Sequence, residues 1–187
     1  MLTSAYLNNQ FLIAMPAMAD PNFARSVVLM CQHSDEGAMG LVINRTIGMS
    51  LMDLLEQMGL QTQLPSVASA SVFLGGPVQT ERGFVLHDVG PVYQSSISLS
   101  DELMLTTSKD VLEAISLGKG PRRFLVALGY AGWGAGQLEE EIRANAWLNM
   151  PAATDLVLSA PIEARWQAAV QRVGVDLSRL SSQSGHA

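Results

Sequence analysis

The sequence has 187 residues, of which 11 are basic and 17 are acidic, so its formal net charge is -6. A chain of this length forms one domain that buries about 70% of its unfolded surface without help from disulfides or metal ions. Hydrophobic residues make up 48% and charged residues only 15%, which excludes an intrinsically disordered chain, a coiled coil and a collagen-like chain.

The distribution of charge argues against direct binding to nucleic acid. Residues 1–105 hold three Arg, no Lys and nine acidic residues. Arg122-Arg123 is the only basic doublet, whereas a protein that binds a phosphate backbone needs a basic stripe. The low overall charge instead indicates that a partner covers some apolar surface, and a homodimer would provide such cover.

We expect a cytoplasmic protein. No apolar run approaches the roughly 18 residues that a membrane-spanning helix needs. The apolar stretch near the N-terminus lacks the basic residues of a secretory signal, since the first basic residue is Arg25. The single cysteine, Cys31, cannot form an intrachain disulfide, and its apolar neighbours predict a buried, unreactive thiol.

The first quarter of the chain predicts three strands followed by a helix. Runs rich in β-branched and aromatic residues predict strands at Phe11–Ala14, Ser26–Gln32 and Met39–Asn44. The last two form a hairpin with a five-residue connection. Ser50, with Asp53 three residues later, predicts a capped helix that ends at Gly59.

The rest of the chain predicts strands in clusters with helices inserted irregularly, which favours an α+β or mixed-sheet α/β domain over a doubly wound one. We expect residues 1–180 to form that single domain and the polar residues 181–187 to fray. The remaining predicted elements are a surface connection at 61–71, strands at 72–74, 83–87, 97–99 and 103–106, a helix capped by Ser108 and running through Ile115, a strand at 123–128, a glycine-rich turn at 129–137, a helix at 137–147, a strand at 155–158 and a helix at 162–173.

The glycine-rich segment at 129–137 lies where a dinucleotide-binding loop would lie. The fingerprint fails, because Gln137 stands where the third glycine is required. The acidic run Glu139-Glu140-Glu141 would also repel a pyrophosphate at the same helix N-terminus. We therefore expect no nucleotide cofactor and interpret the segment as a tight turn, in which Trp133 either fills the core or lines a ligand or partner site.

No complete catalytic or metal-binding motif is present. The three histidines, His33, His87 and His186, have none of the spacings typical of metal ligands, so we expect no metal site. The nucleophile elbow of the serine hydrolases is also missing. We therefore assign no catalytic residue from the sequence.

Four groups of residues form a distinctive combination, namely residues 11–16 with Asp20 and Phe23, His33 with residues 37–44, residues 75–78 with 82–87, and residues 129–133 with 137–139 and 145–148. In order and spacing they resemble the AlgH/YqgE family of bacterial proteins, from about Leu12 to Trp166. The resemblance implies a single compact domain with a large mixed, partly barrel-like sheet, here flanked by about four helices, in the bacterial cytosol. One branch is named as a candidate regulator of alginate production, but no catalytic residue, cofactor or ligand comes with the resemblance.

Our leading hypothesis is a non-enzymatic protein that binds a ligand or a protein partner and has a regulatory, transcription-related role. The alternative is an enzyme acting on a small or nucleotide-like substrate, with His87 or His33 as acid–base and Glu140 as its partner. A third hypothesis is an assembly protein that mainly dimerises. The candidate binding residues, chosen by resemblance and composition, are Asn44, Arg82, His87, Trp133, Gln137 and Glu140.

Overall fold

The computed structural model describes residues 6–174, in which ten strands and six α-helices form an α+β domain. The strands are β1 (Gln10–Ala14), β2 (Val27–Ser34), β3 (Gly37–Val42), β4 (Thr46–Ser50), β5 (Ser71–Leu74), β6 (Val78–Asp88), β7 (Ser96–Ser98), β8 (Leu103–Thr106), β9 (Phe124–Gly134) and β10 (Trp147–Pro151). The helices are α1 (Leu51–Gln57), α2 (Pro65–Ala68), α3 (Asp110–Ser116), α4 (Gln137–Arg143), α5 (Thr154–Leu158) and α6 (Arg165–Val173), with a 3-10 turn at Ile162–Ala164.

All ten strands belong to one curled sheet, a half-barrel, which confirms the predicted fold class. The main path runs β10-β1-β2-β3-β9-β6-β8-β7. Along one edge, β9 pairs first with β5 and then with β3, while its other edge pairs with β6. The β5–β9 pair is parallel and the other pairs are antiparallel, so the sheet is mixed and branches at β9.

The curl of the sheet separates the core into one inner and two outer clusters. Strands β1, β2, β3, β5, β6, β8 and β9 contribute to a single large cluster with α5 and α6, which places that cluster inside the curl. The outer face packs against α1, α2 and α3 over one half of the sheet and against α4 over the other. Successive side chains of β9 point to opposite faces of the sheet. Leu125 and Ala127 belong to the inner cluster, and Val126 between them belongs to an outer cluster.

The predicted glycine-rich turn is wrong, because β9 continues as a strand through Gly134. The turn between β5 and β6 crosses directly over this strand. A Cβ atom at Gly76 would lie 2.1 Å from the Tyr130 carbonyl carbon, and one at Gly129 would lie 2.4 Å from the Gly76 oxygen. The glycines therefore let two backbones touch, and the left-handed Gly129, with φ of +78°, lies where the β6–β9 register shifts.

Two further predictions near the C-terminus are wrong. The helix expected to reach Trp147 ends at Arg143, because Asn145 adopts a φ of 60° and turns the chain into β10, which pairs with β1. The strand expected at 155–158 is helix α5. Short apolar runs do not distinguish a strand from a buried helix, and here Leu156 and Val157 both enter the inner cluster.

Local signals gave mixed outcomes. The Ser50–Asp53 capping box is confirmed, and Gly59 follows α1 with a φ of 75°. The predicted five-residue connection between β2 and β3 contains only two residues outside the strands, because β2 extends through Ser34. Ser108 does not cap α3, since its hydroxyl donates to Asp110 instead.

The helix count exceeds the expected four, because the short helices α2 and α5 escaped prediction. Across residues 6–174, no helix is long and apolar enough to cross a membrane. The expected domain end near residue 180 and the tail at 181–187 lie outside the described residues.

Candidate functional site

A groove of about 870 Å³ lies on the inner face of the half-barrel. Its floor is continuous with the inner cluster, since Cys31, Phe84 and Leu105 belong to both. Strands β2, β3, β6, β8 and β9 and the start of β7 supply its walls. A volume of this size is in the range of small-molecule sites, which is about 300–1,000 Å³.

The charged residues of the groove are Arg82 and Glu36, both exposed. The Arg82 guanidinium carbon lies 5.1 Å from the centroid of the Phe84 ring. In the part of the chain that the structure describes, no carboxylate forms an ion pair with Arg82. The remaining polar lining consists mostly of uncharged hydroxyl and amide groups, from Gln32, Ser34, Ser95, Ser96, Thr107 and Tyr130.

Burial keeps the groove's only thiol unreactive. Cys31 is buried, and desolvation raises the pKa of its thiol to about 12. Because the thiolate is the nucleophilic form of cysteine, Cys31 is a poor nucleophile at neutral pH. The residue contributes apolar surface to the groove floor, as the sequence predicted for a buried thiol.

A chain of hydrogen bonds on the outer face of the sheet ends at a buried histidine. The Ser96 Oγ lies 2.7 Å from Thr106 Oγ1. Thr106 Oγ1 lies 2.7 Å from His87 Nε2, and His87 Nδ1 lies 2.9 Å from the Asp88 carbonyl oxygen. Both His87 and Thr106 are fully buried, and they alternate along their strands with Leu86 and Leu105 of the inner cluster. This chain therefore faces away from the groove.

The second histidine forms a carboxylate pair outside the groove lining. His33 Nε2 donates to Glu139 on α4, while Nδ1 accepts from the Leu7 backbone N–H at 2.9 Å. The hydrogen bond from His33 holds the pKa of Glu139 below its usual range. Both ring nitrogens are therefore occupied, and the pair ties the N-terminal segment to α4.

An aromatic cluster on the outer face is organised by one carboxylate. Glu141 Oε1 accepts from the indole N–H groups of Trp133 and Trp147 at 3.1 and 2.9 Å. Glu141 Oε2 accepts from the Gln137 side chain at 3.0 Å. The Phe23 ring packs against both indoles, with centroids 6.0 and 5.6 Å away. The arrangement is closed and internally satisfied, which is typical of a structural cluster.

The six candidate residues do not converge on one point. Arg82 lines the groove, and Trp133 borders it, but the Trp133 side chain packs in the outer aromatic cluster. His87 is buried on the other face of the sheet. Asn44 lies elsewhere, where its amide accepts from the Val27 N–H and donates to the Arg25 carbonyl.

The other two candidates lie on α4. Gln137 is exposed, accepts from the Gly134 N–H and donates to Glu141. Glu140 is also exposed, and it is the neighbouring Glu139 that contacts His33. The acid–base pairing expected between Glu140 and His33 or His87 is therefore replaced by the His33–Glu139 pair.

Sequence reasoning missed the residues that complete these networks. Glu141 lies four residues after Gln137 on one helix, so helical spacing could have indicated their contact. Ser96 and Thr106 meet only because β7 and β8 pair in that register, which no local pattern reveals. Within residues 6–174, no cluster of three His, Cys, Asp or Glu residues could hold a metal ion.

Comparison with known proteins agrees with the fold and with the resemblance seen in the sequence. The AlgH-like family model matches residues 11–178. A UPF0301 protein from Cupriavidus metallidurans is 54% identical over 181 residues, covering 97% of this chain and 95% of that protein. A UPF0301 protein from Methylococcus capsulatus is 50% identical, covering 97% and 96%. These names specify no substrate or partner.

Two solved structures share the architecture. The solution structure of the AlgH protein from Pseudomonas aeruginosa is 50% identical and gives a TM-score of 0.80, covering 100% of this chain and 99% of that one. A crystal structure of a protein from Corynebacterium diphtheriae, 21% identical, gives a TM-score of 0.76 over 97% and 94% of the two chains and supports the fold alone. The chain belongs to the AlgH-like family of bacterial proteins.

Proposed function

We propose that this chain is a non-enzymatic binding protein whose groove takes a small molecule with an apolar body and an anionic group. The observation that carries the proposal is Arg82, which lies without a carboxylate partner among the described residues at the wall of an apolar-floored groove. A guanidinium in this position recognises carboxylates and phosphates by paired hydrogen bonds.

The surroundings of Arg82 favour an amphipathic ligand over a free anion. The Phe84 ring lies beneath the guanidinium and continues into the buried floor, so an apolar group would bury against Phe84, Leu105 and Cys31. Glu36 is the one carboxylate of the lining, and it disfavours a ligand with several negative charges. A monoanion with an aromatic or aliphatic body fits these features.

The arrangement of the reactive groups favours binding over catalysis. Burial raises the pKa of the Cys31 thiol to about 12. Both ring nitrogens of His33 form hydrogen bonds, to Leu7 and Glu139, and His33 lies outside the groove lining. The alternative of a His–carboxylate enzyme would need that pair to open toward a substrate. Any regulatory, transcription-related role would then act through the bound ligand or a protein partner, because the net charge of -6 disfavours contact with DNA.

Native mass spectrometry of protein purified gently from a bacterial host, combined with amide NMR titration, tests this proposal. We expect phenylacetate and octanoate, at millimolar concentration, to shift the amide resonances of groove residues such as Ala38 and Gly132. Arg82→Gln should weaken binding by about tenfold, because a charge-assisted hydrogen bond is worth about 1.5 kcal/mol. Any ligand retained by the native protein should be lost in the same variant.

Arg122→Gln is the matched control, since Arg122 is an exposed arginine outside the groove lining. It should bind like the wild type. Saturable shifts confined to other surfaces, or equal affinity for the wild type and Arg82→Gln, would refute the proposal.

A further inference from the structure

The groove holds two charges of opposite sign that leave each other unpaired. Arg82 belongs to β6 and Glu36 to the turn between β2 and β3, and both side chains are exposed at the groove. Within residues 6–174, neither forms an ion pair with the other or with a third residue. The groove therefore offers a ligand one cationic contact and one anionic contact.

The strand register separates these two charges along β9. The residue after Glu36 pairs with Gly134 at the end of that strand. The residue after Arg82 pairs with Leu128 on the opposite edge of the same strand. Because each strand residue advances by about 3.3 Å, the two positions lie about 20 Å apart along β9. A small anion at Arg82 therefore leaves Glu36 free, and only an extended ligand contacts both.

The surface between the charges is both apolar and hydrogen-bonding. The register of β2 shifts between Met30 and Gln32, so Gln32 pairs with Met39 and lies on the same face of the sheet. Met39 and Tyr130 pack against the inner cluster and line the groove. The exposed amide of Gln32 can donate and accept. These contacts match a chain in which amide groups alternate with apolar side chains, which is a peptide.

We infer that the groove binds a short apolar peptide with free termini, whose carboxylate contacts Arg82 and whose ammonium group contacts Glu36. Since both side chains reach into the groove and shorten the distance to be bridged, about three to five extended residues at about 3.3–3.6 Å each span the two charges. This inference rests on the proposed binding function and adds a cationic group to the same ligand. Glu36 then orients the peptide, with its N-terminus at the β2–β3 turn.

Trileucine and N-acetyl-trileucine test the contact with Glu36, because both carry the carboxylate and only the first carries the ammonium group. In amide NMR titrations at one low ionic strength, we expect the wild type to bind trileucine about threefold more tightly, as is typical of an exposed ion pair. The two peptides should shift the Gly37 amide resonance differently. Glu36→Gln should remove the preference without weakening binding of the acetylated peptide.

Asp35→Asn is the matched control, because Asp35 is the exposed acidic neighbour of Glu36 and lies outside the groove lining. It should keep the full preference for trileucine. Leucine and N-acetylleucine test the span in the same titration. One residue is too short to reach both charges, so we expect the wild type to bind these two compounds equally.

Equal binding of trileucine and its acetylated form by the wild type, or a preference that survives Glu36→Gln, would overturn the inference. The same threefold preference for leucine over N-acetylleucine, or trileucine that fails to bind where phenylacetate binds, would also overturn it. The proposed function would stand in each of these cases, because phenylacetate needs only Arg82 and the apolar floor. Failure of phenylacetate, octanoate and both peptides to bind in the groove would refute both.

Discussion

His33 and Glu139 join two segments that are far apart in the sequence. The histidine accepts from Leu7 near the N-terminus and donates to Glu139 on α4, and it is buried while Glu139 is partly exposed. The hydrogen bond from His33 is the main reason why the pKa of Glu139 lies below its usual value of 4.5. A carboxyl with a lowered pKa stabilises the fold above its unfolded-state pKa, and this contribution disappears as the pH falls through the folded-state pKa.

Glu139→Gln should therefore destabilise the protein in a pH-dependent way. At pH 7 we expect a loss of about 0.5 kcal/mol in the free energy of unfolding, the size typical of a pair open to solvent. The difference from the wild type should shrink as the pH falls below 4.5 and vanish once the pH has passed the lowered folded-state pKa, where Glu139 becomes protonated and neutral. Urea unfolding at a series of pH values measures both effects.

Glu140→Gln serves as the control, because Glu140 is the exposed neighbour on the same helix and does not contact His33. Its stability should follow that of the wild type at every pH. A Glu139→Gln deficit that is unchanged well below pH 4.5 would contradict the assigned hydrogen bond between His33 and the Glu139 carboxylate.

At the level of the elements, the crossing of the β5–β6 turn over β9 leaves no room for a side chain at Gly76. Gly76→Ala would place a Cβ atom 2.1 Å from the Tyr130 carbonyl carbon, and neither backbone can move without breaking strand pairing. We expect a loss of more than about 3 kcal/mol in the free energy of unfolding, measured by urea denaturation.

Gly90→Ala is the matched control, since a Cβ atom there meets nothing within 4 Å. Its unfolding free energy should change by no more than about 0.5 kcal/mol. A Gly76→Ala protein that unfolds at the same urea concentration as the wild type would show that the two backbones are not in contact.

The same crossing explains which elements could be predicted from the sequence. Helix α1 was predictable because its start and stop depend on Ser50, Asp53 and Gly59, all within one short segment. The second half of β9 was not, because its glycines are typical of a turn until the distant segment at 75–76 is known to cross it. Asp155–Leu158 was mistaken for a strand because four residues carry too little periodicity.

The candidate site was less predictable than the fold. Arg82 was identified and does line the groove, whereas the Trp133 side chain packs in the outer aromatic cluster; both were selected by resemblance and composition. Ser96 and Thr106 belong to short strands without distinctive neighbours, and they meet His87 only through the pairing of β6, β7 and β8. Contacts that depend on long-range register leave no local trace in a single sequence.

At the scale of the whole molecule, the electrostatic field repels polyanions. The net charge is -6. Several arginines form hydrogen bonds within the protein, such as Arg45, which donates to backbone carbonyl groups of the loop after β1. Arg165 is buried, donates to the Ile43 and Ala160 carbonyls, and has its pKa lowered to about 10 by desolvation. These cations are unavailable for phosphate contacts.

We therefore expect no retardation of a DNA duplex in a gel at about 50 mM salt, a condition that favours nonspecific binding. Binding at low salt that weakens steeply as salt is added would contradict this prediction. A known DNA-binding protein run in parallel confirms that the assay detects binding.

The branching of the sheet at β9 has a consequence for how the chain is made by the ribosome. Strands β3, β5 and β6 all precede β9 in the sequence, yet each completes its pairing only on β9. While translation proceeds toward Phe124, the nascent chain carries three unsatisfied strand edges, which attract other chains. Synthesis of β9 allows the two halves of the sheet to pair in one step. The fraction of chains that fold rather than aggregate therefore depends on how soon β9 is synthesised after β3, β5 and β6.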